Sequence, residues 1–192
     1  MEFTPVDLER ALVKNTAIWT KDMLFKSPLD RGVTPVSLSI YQGHIPSHQA
    51  GPRAHSEHPK VPAMAIKTAT GMYRRLDAVI TIYFLIVTWD DNPNRRGYID
   101  THNVINRVIY GLYENVMIDQ SFVLTDDPVH FELIDDPAAD YHPYYYGRIE
   151  AKFGVMTPGP GWDHIGFHTD TGPYNDTGAD TLSIVAPEPP PT

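Results

Sequence analysis

The stretch from Asp77 to Trp89 constrains this chain more than any other. Val79, Thr81, Tyr83, Leu85 and Val87 alternate there with Ile80, Ile82, Phe84 and Ile86, so both sides of an extended strand would be apolar. Such a strand belongs in the centre of a sheet covered on both faces. Its apolar run, Ala78 to Val87, is half the ~20 residues that a membrane-crossing helix needs. The N-terminus has no basic stretch followed by an apolar one, so the expectation is a soluble chain without a standard export signal.

The neighbouring segments give the strand its company. Ala63 to Thr68 reads as a preceding strand, with Met72 to Leu76 as the turn of a hairpin joining the two. Pro35 to Gln42 alternates Val36, Leu38 and Ile40 with Ser37, Ser39 and Tyr41, the two-residue period of a half-buried strand. Two more strands are expected: Val129 to Ile134, bracketed by Asp-Asp-Pro clusters, and Tyr144 to Val155. In the latter, Tyr145, Ile149, Ala151, Phe153 and Val155 face one way and Tyr146, Arg148, Glu150 and Lys152 the other.

Two helices complete the pattern. Thr4-Pro5-Val6-Asp7 is a helix start, with a hydroxyl cap, a proline at the first position and a carboxylate near the unpaired amides. The spacing of Leu8, Leu12, Asn15, Trp19 and Met23 predicts a helix from about Pro5 to Leu24 with one buried face. After the turn cluster Asp90 to Gly97, Val104, Ile105, Val108, Ile109, Leu112 and Tyr113 repeat at helical spacing as far as Val116. The expected fold is therefore α+β: a mixed or mainly antiparallel sheet of about four to six strands packed by two helices. At 192 residues with 42% apolar side chains the chain suffices for one domain, expected at 1–156 with a long irregular loop at 43–62. Beyond it, residues 157–192 hold seven prolines, five glycines, five acidic residues and no Lys or Arg, and read as an extended C-terminal arm.

Charge and composition exclude several functions. Fifteen basic against twenty-four acidic residues give a net charge of −9, which disfavours general binding to phosphate backbones or anionic lipid. The absence of cysteine removes disulfides, thiolate nucleophiles and cysteine-held metals. No Gly-x-Ser-x-Gly elbow, phosphate loop or dinucleotide-binding turn occurs, so no catalytic residue is expected. Asp90, Asn92 and Asn94 imitate the start of a calcium loop, but Arg95 stands where glycine is needed and Thr101 where glutamate is, which leaves a turn. His168-Thr169-Asp170 begins a facial iron triad with no later histidine to complete it. His44, His48, His55 and His58 put four imidazoles in the long loop, with Glu57 among them. His55 and His58 are the candidate metal ligands, and the bland alternative is a solvated loop meeting another chain. No metal or other cofactor is expected.

Interface residues are suggested by composition. Tyr141, His142 and Tyr144-Tyr145-Tyr146 concentrate aromatics at the entry of a strand, and tyrosine is enriched at protein interfaces. Tyr144, Tyr146 and Arg148 are the candidates there, His44, His48 and His55 in the loop, and Trp162 and Phe167 in the C-terminal arm.

In this order of elements the chain resembles the tail terminator (tail completion, or neck) proteins of long-tailed bacteriophages, over about Pro5 to Pro158. The resemblance is carried by Val61-Pro62-Ala63-Met64-Ala65-Ile66-Lys67 leading into the hairpin, and by Val79 to Trp89. Gly97-Tyr98-Ile99-Asp100 with the helix to Leu112, Phe131-Glu132-Leu133, and Pro143-Tyr144-Tyr145-Tyr146-Gly147 running to Met156-Thr157-Pro158 carry the rest. The long loop and the acidic extension depart from the family pattern. The resemblance implies a structural virion protein of the tail and neck, assembled in the host cytoplasm. It would form a ring, usually a hexamer, on the head-proximal end of the tail tube, stop tube polymerisation and dock the head-completion protein. The partners implied are a second copy of the chain, the tail tube protein and the head-tail stopper, with DNA passing unbound. A head-tail stopper or connector is the alternative from the same region, and a metal-binding module or metalloenzyme using the loop is the alternative from another class.

Overall fold

The computed structural model describes residues 4–28, 32–46, 61–73, 78–134 and 141–155. These residues form an α+β fold with helices α1 (Pro5–Trp19) and α2 (Gly97–Glu114). The strands are β1 (Leu24–Phe25), β2 (Val36–Ser37), β3 (Ser39–Gln42), β4 (Ala63–Tyr73), β5 (Ala78–Trp89), β6 (Met117–Ile118), β7 (Phe122–Leu124), β8 (His130–Ile134) and β9 (Tyr144–Val155). The main sheet is mixed and seven-stranded, in the order β3-β4-β5-β9-β7-β6, with β8 also on β9; β1 and β2 form a separate antiparallel pair. Among the described residues only β3 and β4 pair in parallel. The strand count exceeds expectation because β6 and β7, of two and three residues, are too short to show a period.

The strand apolar on both sides does lie at the centre, between β4 and β9. Ile80, Ile82, Phe84 and Ile86 face the helices and are buried, together with Met64 and Ile66 from β4 and Ile149, Ala151 and Phe153 from β9. Leu8 and Leu12 of α1 and Val104, Ile105, Val108 and Leu112 of α2 close this core. The opposite face departs from expectation. Among the described residues no second layer covers it, and only its end holds a small cluster of Val61, Ala63, Val87 and Trp89. Val79, Tyr83 and Leu85 are half-buried there, and Ala65 and Thr81 on the same face are buried.

Local chemistry sets the helix limits. The Thr4 hydroxyl accepts from the Asp7 amide while the Asp7 carboxylate accepts from the Thr4 amide at 3.1 Å, a reciprocal capping box. The Thr4 hydroxyl also donates to the Asp7 carboxylate at 2.7 Å, and this bond, then the one from the Thr4 amide, with help from Arg10, holds the Asp7 carboxyl below its ordinary pKa. At the other end α1 stops at Trp19, five residues before the expected Leu24. Thr20 turns both its amide and its hydroxyl back to the Thr16 carbonyl, at 3.0 and 2.8 Å. The chain then reverses so that Phe25 of β1 enters the core, a burial that outweighs continued helix. The expected strand at Pro35–Gln42 is likewise split at Leu38, its first half pairing with β1 and its second with β4.

Close approaches seat the helices. A Cβ on Gly147 would lie 2.8 Å from the Thr101 methyl carbon, so α2 rests on β9 where a side chain is missing. A Cβ on Gly111 would lie 2.4 Å from the Trp19 ring, so α1 and α2 meet there. The β4–β5 ladder shifts register between Thr68 and Thr70. Glu9 of α1 satisfies the displaced Thr68 amide and hydroxyl, at 2.7 and 2.8 Å, and so ties helix to bulge.

Candidate functional site

The uncovered sheet face is where the candidate residues of β9 lie. Strand alternation and the β5–β9 register put Tyr144, Tyr146 and Arg148 opposite Trp89, Val87 and Leu85, all pointing away from the helices. Tyr145, one residue out of phase, faces inward. Its ring lies where a Cβ on Gly97 would come within 2.2 Å, and His142 meets it edge-on at 6.3 Å.

The three candidates differ in what they can do. Tyr146 is half-buried on the cluster of Val61, Ala63, Val87 and Trp89, with Tyr141 edge-on at 5.5 Å. Burial, reinforced by Tyr144 and Tyr141, raises the pKa of its hydroxyl, which therefore stays protonated as a hydrogen-bond donor. Tyr144 is more open to solvent. Arg148 lies across the Tyr83 ring at 4.8 Å and reaches Glu132 of β8 at 3.4 Å. Tyr83 and Glu132 were not singled out by sequence, because only the cross-strand register brings them to Arg148. Lys152 pairs with Asp127 at 3.1 Å, so Arg148 and Lys152 on this face are both compensated by carboxylates.

The edge beside this face is also open. All five residues of β8 are exposed, and among the described residues its ladder runs only to β9. Such an edge carries unpaired amides and carbonyls suited to another chain.

The ionisable groups elsewhere form structural pairs. Asp90 is buried and takes the Lys26 ammonium at 2.7 Å, a bond that raises the Lys26 pKa. Asp90 also accepts from the Asn92 amide and Asn92 from the Asn94 amide, so the calcium-loop imitation is a pair of Asx turns. Asp100 has its pKa raised, first by burial and then by the Asp90 charge, against the pull of Lys26.

His44 is exposed just after β3. His48, His55, His58, Trp162 and Phe167 lie outside the described residues, as do most of loop 43–62, the whole of the 157–192 extension and His168-Thr169-Asp170. Among the described residues no group of three or more His, Asp or Glu side chains is placed to hold a metal ion. No helix among them is long and apolar enough to cross a membrane. No protein-family model matches this sequence, and no curated protein matches it.

Proposed function

We propose that this protein is a structural assembly subunit, a tail terminator that forms a ring at the head-proximal end of a phage tail tube. The observation that carries the reading is a two-helix α+β domain whose long central sheet leaves one face and one edge strand open, with aromatic and compensated charged residues on them. Surfaces of this kind suit contact with other protein chains. The order of elements also supports it, since it is the order on which the resemblance to tail terminators rests. Against the stopper reading, the domain is built on helices of 15 and 18 residues rather than around a small closed barrel.

In this reading the ring caps the tube by occupying the surface on which the next tube subunit would add, and the neck completes its other side. The net charge of −9 helps a duplex to slide past without being gripped. The test is tube assembly from purified tail tube protein with and without this chain, followed by electron microscopy. Tubes of limited length bearing a ring at one end are expected. Unchanged tube lengths and bare ends would overturn the proposal, and stoichiometric zinc or iron on the purified chain would favour the metalloprotein instead.

A further inference from the structure

Strand β8 is an edge with large apolar side chains on both of its sides. Phe131 pairs with Ile149 and Leu133 with Gly147, so these two lie on the helix side of the sheet, where Phe131 also meets the His102 ring of α2 at 5.7 Å. His130, Glu132 and Ile134 turn to the open face, with Glu132 held by Arg148 at 3.4 Å. Phe131, Leu133 and Ile134 remain 50, 38 and 40% exposed, and the strand contains no Pro, Gly or Lys to deter an added strand. Both sides therefore gain apolar burial if another extended segment lies along it.

The same edge of a second copy is a poor occupant. Two β8 strands in full antiparallel register would set Glu132 directly against Glu132, a like-charge pair. Such a contact is also two-fold, which makes pairs rather than a ring. The C-terminal extension, outside the described residues, holds a better match. Residues 179–186 are its longest run without Pro or Gly, and within them Thr181-Leu182-Ser183-Ile184-Val185 is uncharged and rich in β-branched residues. With Ser183 opposite Glu132, in either strand direction, Leu182 and Ile184 fall beside Phe131 and Leu133, and no carboxylate meets Glu132. The chain from Val155, the end of β9, to Ser183 spans about 90 Å when extended at ~3.3 Å per residue. A domain of this length has a radius of gyration of ~15 Å, so an adjacent copy is within reach.

We infer that the β8 edge receives residues 181–185 of a second copy of this chain as an added strand. The inference rests on the ring reading and names a contact that runs head to tail from copy to copy, the kind that closes a ring. The chain has no cysteine, so introduced thiols report the contact without background. Full-length chains carrying Leu133→Cys are mixed with chains carrying Leu182→Cys or Ile184→Cys under mild oxidation, and solution mass is measured by light scattering between about 1 and 100 μM. Disulfide-linked pairs are expected in the first mixture for an antiparallel strand and in the second for a parallel one. Leu182→Asp with Ile184→Asp lies outside the domain core, and this variant should dissociate at least tenfold more readily than wild type. Asn175→Asp with Thr177→Asp adds the same charge to the extension and should keep the wild-type mass. No link in either mixture, links only between Leu133→Cys chains, or a Leu182→Asp, Ile184→Asp variant with the wild-type mass would overturn the inference and leave the ring reading standing. A monomeric wild type would also overturn it. Links accompanied by uncapped tail tubes would keep the contact and overturn the ring reading.

Discussion

Gly111→Ala in α2 sets two ordinary effects against each other. In an exposed helix interior the exchange stabilises by about 1 kcal/mol, because alanine loses less backbone entropy. Here the added Cβ would lie 2.4, 2.7 and 2.8 Å from Cδ2, Cε3 and Cγ of Trp19. Carbon contacts are comfortable at ~3.5–4.0 Å, so the overlap is about 1 Å. Turning the ring about χ2 leaves Cγ in place, so clearing the overlap takes a new χ1 rotamer of the half-buried Trp19 or a shift of α1. Overpacking of this kind costs ~1–3 kcal/mol, and with three ring atoms overlapped the upper part of that range applies. The net expectation is a loss of about 2 kcal/mol, or ~4–8 °C in Tm for a domain of this size. Urea unfolding followed by far-ultraviolet circular dichroism measures it, with a calorimetric scan as the second readout. In a Trp19→Ala background the obstacle is gone, and the same exchange should stabilise by about 0.5–1 kcal/mol. Wild-type or higher stability for Gly111→Ala alone would refute the close helix contact.

Other substitutions probe separate parts of the argument. Thr4→Ala removes the capping hydroxyl and should cost ~1 kcal/mol in urea unfolding. Lys26→Met leaves the buried Asp90 carboxylate without its cation and should cost about 2–3 kcal/mol, read by the same titration at pH 7. The folded-state pKa of Asp100 is raised, so ionising it penalises the native state at pH values above that pKa. Asp100→Asn should therefore raise the urea midpoint at pH 7, and its advantage should fade as the pH falls through the carboxylate range. For Asp7 the sign is opposite: its lowered pKa contributes stability above the unfolded value that is lost on acidification. Asp7→Asn should thus lower the urea midpoint at pH 7 and converge with wild type in acid.

The sequence by itself determined the elements whose periods run long enough to read. The alternation of β5 and β9, the apolar stripe of α2 and the capping signature of α1 are local consequences of side-chain geometry, and the structure has them at the expected positions. The split of candidate tyrosines was legible for the same reason, since residues 144 and 146 must point opposite to 145 on any strand. Tertiary structure decided where α1 ends, because burying Phe25 gains more than another helical turn. It also decided that Pro35–Gln42 would serve two sheets. It decided which face of the doubly apolar β5 carries the helices, since that depends on cross-strand neighbours such as Arg148, which lies over Tyr83 and opposite Leu85, and no single segment encodes that choice. The exposed side of α2 is present in the sequence as spacing alone. It becomes a surface only because Gly111, Gly147 and the core fix which side of the helix turns to solvent.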